Sequence, residues 1–99
     1  MEEFDEIQIA TTLGRIWCEE LDDLIDFDIL SPQNGYEIIS DAASGNWMNY
    51  LMGTEIDRDV RKISKLAADF YEVDSIPEEI FVRIIKRVKY EYQEHPQIN

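Results

Sequence analysis

The first 55 residues contain a single basic side chain, Arg15. A surface made from that half of the chain has almost nothing with which to neutralise phosphate. Direct contact with nucleic acid or an anionic membrane is therefore not expected. Cysteine is scarce too: Cys18 stands alone and cannot form an internal disulfide, which fits a reducing compartment. His95 is the sole histidine, set beside Pro96 near the end of the chain, and is expected to face solvent rather than serve as ligand or base. No apolar run approaches the ~18 residues that suggest a bilayer crossing. The opening MEEFDEIQIA lacks the basic and apolar regions of a secretory leader. These absences together point to a cytoplasmic protein. No phosphate-binding glycine loop, dinucleotide fingerprint, zinc-protease pair or Cys-x-x-Cys spacing occurs. The expectation is a binding protein rather than an enzyme, with no catalytic residue, cofactor or metal.

What the chain has in abundance is carboxylate. Twenty-two acids against nine bases give a net charge of −13, unevenly spread. Residues 1–30 hold ten carboxylates and a balance of −9, residues 31–55 contribute −3, and residues 56–99 are close to neutral at −1. The densest stretch is Trp17 to Asp28, WCEELDDLIDFD, in which six of twelve residues are Asp or Glu. At about 100° per residue, Leu13, Trp17, Leu21, Leu24 and Ile25 share one arc of a helix, with Glu19, Asp22, Asp23 and Asp26 opposite. Such a helix buries one side and shows an anionic strip on the other. Acids at a helix C-terminus oppose the macrodipole at a cost of ~0.3–1 kcal/mol each. Local helix stability does not account for them.

The hydrophobic pattern predicts one all-α domain spanning 1–99, a bundle-like arrangement of four to five helices with frayed tails at 1–5 and 93–99. Ile7, Ala10, Leu13, Trp17, Leu21 and Leu24 mark a first helix from Glu6 to about Asp26, weakened at Gly14 to the point of a kink or a split. Phe27 to Gly35 reads as a loop, although Ser31-Pro32 could also cap and start the next helix. Tyr36 to Ser44 reads as a short helix ended by Gly45, and Asn46 to Met52 as a further turn or helix closed by Gly53. Thr54 and Asp57 resemble a capping box for a long helix with the stripe Ile56, Val60, Ile63, Leu66, Ala67 and Phe70. Ser75 and Glu78 suggest another, with Pro77 in the first turn of a helix reaching about Tyr92. Its inward positions are Ile80, Phe81, Ile84, Ile85, Val88 and Tyr92, and Lys86, Arg87 and Lys89 lie at the end its dipole favours.

Several chemistries fail on inspection. Aligning Asp26, Asp28 and Glu37 as calcium-loop ligands puts Leu30 at a ligand position and Ser31 at the turn glycine. Paired carboxylates could do acid–base work only in a cleft, which an exposed helix strip does not supply. Carboxylates near Cys18 disfavour its thiolate. A helix-turn-helix over Ser64 to Val88, with Arg58, Arg61, Lys62 and Lys65 beside it, has too long a connector and acids on both helices. Trp47, Met48, Tyr50, Leu51 and Met52 crowd one short segment, for which core packing is expected ahead of a contact surface.

The functional expectation is a small acidic inhibitor of a basic protein partner. Glu19, Glu20, Asp22, Asp23, Asp26 and Asp28 would capture the partner, and Trp47 and Tyr50 are the candidate aromatic anchors. Nucleic-acid enzymes, with grooves built for phosphate, are natural partners. That class includes toxin nucleases held by immunity proteins or antitoxins, and defence nucleases blocked by phage nucleic-acid mimics. The alternative is a regulatory or assembly subunit that docks through the Trp47–Met52 patch. The sequence assigns no oligomeric state.

Overall fold

Asp5 opens the first helix, α1 (Glu6–Leu21). Its carboxylate accepts the Gln8 amide at 3.1 Å, satisfying one of the donors that a helix start leaves unpaired. The structure, a computed structural model, describes residues 5–51 and 56–94. Ile9, Leu13, Ile16, Trp17 and Leu21 form the buried stripe of α1. The helix ends at Leu21 rather than near Asp26, and its last turn is closed by the Leu24 and Ile25 amides, both donating to the Leu21 carbonyl. A longer helix would place Asp22, Asp23 and Asp26 along its negative end. Ile25 still turns inward, whereas Leu24 faces water.

No break occurs at Gly14. A Cβ there would lie 2.5 Å from Pro32 Cβ, so the glycine lets α1 approach the start of α2 (Pro32–Ala42). Ser31 caps α2 through the Gln33 amide, with Pro32 in the first position. The expected loop from Phe27 to Gly35 therefore contracts to a 3-10 turn, Phe27–Ile29, followed by Leu30 and Ser31. Gly35 lies inside α2, where a Cβ would come within 2.5 Å of the Trp17 indole. Its role is close packing rather than turning. Ser44 and Gly45 then adopt positive φ of 55° and 76°, and the Gly45 amide reaches back to the Ser40 carbonyl.

The five-residue α3 (Trp47–Leu51) is followed by α4 (Ile56–Tyr71) and α5 (Glu78–Lys89). Thr54, half of the first expected capping box, lies outside the described residues, as do Met52 and Gly53. Along α4 the buried positions are Ile56, Val60, Ile63, Ala67, Ala68 and Tyr71. Phe70, expected inward, is exposed. Tyr71 takes the inward place because its hydroxyl accepts the buried Trp17 Nε1–H at 2.9 Å. The second capping box does not form: α5 starts without a side-chain cap. Buried Ile76 fixes the approach instead, its carbonyl accepting the Ser64 hydroxyl at 2.6 Å. Beyond α5 the chain makes one wider helical turn, Tyr90–Glu94.

α1 packs between α2 and α5, α4 closes on α2 and α5, and α3 leans on α5. One apolar core runs through the molecule, with Trp17, Trp47, Tyr50 and Phe81 its largest fully buried members. The protein is thus a single all-α domain with five helices and no strand among the described residues. Its Cα radius of gyration, 12.9 Å, is what a globule of ~100 residues has. Asp5 and residues 93–94, expected in frayed tails, belong to this ordered body, and the Asp5 amide donates to the Tyr92 hydroxyl. Residues 1–4 and 95–99 lie outside the described set. No described helix is long and apolar enough to cross a membrane.

Candidate functional site

The six carboxylates singled out by sequence divide into two groups. Glu19 and Glu20 sit in the last turn of α1, where α5 packs against it. Glu20 accepts Arg83 Nε at 2.8 Å and Arg87 Nη1 at 2.9 Å; Glu19 accepts Arg87 Nη2 at 2.7 Å and faces Arg15. Arg15 in turn pairs with Glu91. Hydrogen bonds from Arg87 hold the Glu19 carboxyl below its ordinary range. Burial pushes the Glu20 carboxyl upward, but the hydrogen bonds and charges of Arg83 and Arg87 outweigh it, and the group ends below its ordinary value. Glu19 and Glu20 therefore join α1 to α5: Glu20 is largely covered, and Glu19, still about half exposed, already holds two guanidinium groups, so neither is the free charge the sequence suggests. The correction comes from arginines more than sixty positions away in the chain.

Asp22, Asp23, Asp26 and Asp28 remain. All four are exposed, and none makes an ion pair with a described residue. Asp26 has a local duty, since its Oδ1 accepts the Asp28 amide at 2.9 Å and caps the 3-10 turn. The anionic feature is thus a short turn of chain between α1 and α2, not a strip along a helix.

Trp47 and Tyr50 require the second correction. Each is 1% exposed, so neither can meet a partner from the surface. Trp47 stacks on Tyr36 at 5.7 Å and meets the Tyr50 ring edge-on, and the Tyr50 hydroxyl donates to Asp59 at 3.1 Å. Leu51 is buried beside them and Met48 alone of the described segment is exposed. Of the patch that supported the alternative reading, Trp47, Tyr50 and Leu51 are core, Met48 is exposed and Met52 lies outside the described residues.

Three apolar side chains that do face water lie among the aspartates. Leu24 is 50% exposed, Phe27 65% and Ile29 51%. Their neighbours Ile25 and Leu30 are buried and act as two feet, so the chain between them bulges outward. The bulge is closed by the Ile29 amide on the Asp26 carbonyl and the Leu30 amide on the Phe27 carbonyl, at 3.0 and 3.2 Å. Helical periodicity turns Leu24 inward and places Phe27 and Ile29 in a loop, whereas all three are exposed on the turn. The signal was present in the alternation Asp26, Phe27, Asp28, Ile29. Such a run in a segment that is not a strand cannot bury all of its apolar members.

Other candidate sites are weaker. A groove of about 930 Å³ follows the outer side of α5, lined among others by Val60, Val82, Lys86 and Tyr90. Most of its charged lining is committed: Arg83 and Arg87 to α1, Glu91 to Arg15, Glu78 to Arg61. Cys18 is half-buried, and burial, followed by Asp22 and Glu19, pushes its thiol upward. Among the described residues no group of three or more His, Cys, Asp or Glu is placed to hold a metal. His95 falls outside them. No family model matches the chain, and no curated protein or solved structure matches it.

Proposed function

We propose that this protein is a small acidic binding protein that inhibits or neutralises a basic protein partner, captured at the turn carrying Asp22, Asp23, Asp26 and Asp28. One observation carries the reading. Four exposed carboxylates occupy seven consecutive residues without an ion pair to a described residue, whereas Glu19 and Glu20 just before them are tied to arginines of α5. Two of them, Asp22 and Asp23, sit just past the C-terminus of α1, where negative charge costs stability. A cost kept in the fold is consistent with a use outside it. The overall charge of −13 would add long-range attraction, raising the rate of encounter with a cationic surface. Nucleic-acid enzymes bear such surfaces, which places toxin or defence nucleases first among candidate partners.

The test is affinity capture from a lysate of the source cell, eluted with rising salt, beside a D22N/D23N/D26N/D28N variant. Capture through this turn requires that the retained protein be basic, be released as ionic strength shortens the Debye length below ~10 Å, and be missed by the variant. A partner that survives high salt and binds the variant equally well defeats the reading.

A further inference from the structure

Seven large apolar side chains are exposed among the described residues, and three of them, Leu24, Phe27 and Ile29, fall within six consecutive positions. The other four, Ile7, Met48, Phe70 and Tyr90, are spread over four separate elements. Scattered exposed apolar residues need no explanation, but a cluster does. Even fully extended, the chain from Leu24 to Ile29 spans only about 17 Å, so the three residues are close neighbours on the surface. Ile25 and Leu30 of the same segment are buried, so the exposure is confined to Leu24, Phe27 and Ile29. The capped turn also fixes the backbone beneath Phe27 and Ile29, which lowers the ordering cost of binding.

We infer that Leu24, Phe27 and Ile29 form the apolar anchor of the acidic turn, and that the surface it fits is a protein patch of apolar residues ringed by lysine and arginine. This rests on the capture reading above and narrows it. A groove that recognises only phosphate would be met by charge alone and would gain nothing from an exposed phenylalanine. A second copy paired through the same turn is the wrong occupant, because two such turns bring eight carboxylates together without a counter-charge. A basic rim around an apolar centre satisfies both halves of the surface: the aspartates meet the rim, and the three apolar side chains desolvate against the centre.

The experiment uses two fluorescent probes of equal charge, a leucine–lysine amphipathic helical peptide and an oligolysine, titrated by anisotropy at low and moderate salt. Amide chemical shifts of the protein locate each probe. The leucine–lysine peptide is expected to bind at least about tenfold tighter, with shifts centred on residues 22–30. L24A/F27A/I29A should reduce it to the oligolysine level, and D22N/D23N/D26N/D28N should weaken both probes. The triple variant removes only side chains at least half exposed, so the core remains intact. Equal binding of the two probes, an undiminished preference in the triple variant, or shifts on the α5 groove would overturn the anchor while leaving salt-sensitive capture standing. Failure of both probes to bind, or binding indifferent to salt, would remove the capture reading as well.

Discussion

Gly35 sits where packing leaves no room for a side chain. Its missing side chain is where the Trp17 indole sits, and an added Cβ would meet ring atoms at 2.5 and 2.6 Å and the Trp17 Cβ at 2.9 Å. An indole held by its own hydrogen bond to Tyr71 and packed on Phe81 has little room to retreat. Although alanine favours helices over glycine by up to ~1 kcal/mol, overpacking costs ~1–3 kcal/mol. Gly35→Ala should therefore lower stability, which a shift of the urea midpoint to lower concentration at unchanged slope would show. The sequence offered Asn34-Gly35 as a breaker because its chemistry is that of a turn. Nothing local reveals that an indole eighteen positions earlier occupies the space. The same limit hid the exchange of Phe70 for Tyr71, two adjacent aromatics of which the inward one bonds to Trp17.

At the level of elements, the contact between α1 and α5 is both apolar and ionic. Glu19 and Glu20 are held below their ordinary value of 4.5 in the folded protein, so on acidification the unfolded chain takes up protons first. The stability that these pairs contribute is complete above about pH 4.5 and is lost as the pH falls beneath it. Arg87→Met keeps much of the aliphatic stem but removes the guanidinium that both carboxylates share. It should flatten this acid dependence and weaken the protein at neutral pH, read from urea midpoints across the acidic range. Solvent screening keeps the neutral-pH loss small, at about 1 kcal/mol. The helices themselves were largely legible: α4 and α5 announce themselves by three-to-four spacing of Ile56, Val60, Ile63 and of Ile80, Ile84, Val88. Their starts were less so. Ser75 and Glu78 have the composition of a cap, but burial of Ile76 and the bond from Ser64 to its carbonyl decide the entry to α5.

For the whole molecule, the proposed site and fold stability pull in opposite directions. Asp22 and Asp23 stand at the unfavourable end of α1 within a body of charge −13. D22N/D23N/D26N/D28N should therefore raise the melting temperature at low salt, by about 1 kcal/mol of stability in all, while abolishing capture. Asparagine keeps a side-chain oxygen for the cap at position 26. Equal or lower melting temperature would mean that these aspartates serve the fold after all. Half of the candidate site was readable from composition: the carboxylates of the turn stand out in any window. The other half required the fold, because Arg83 and Arg87 withdraw Glu19 and Glu20 from sixty-odd positions away, and because Trp47 and Tyr50 proved to be interior.

The hydrogen bond from the Asp5 amide to the Tyr92 hydroxyl brings the two extremities of the described chain side by side. A short peptide could join them, and the exposed corner at Ser44 and Gly45 offers a place to reopen the backbone. The resulting permutant would carry the acidic bulge well inside its new linear order, far from either cut end. Reporters fused at those ends would then sit on the corner between α2 and α3, clear of the turn from Asp22 to Ile29.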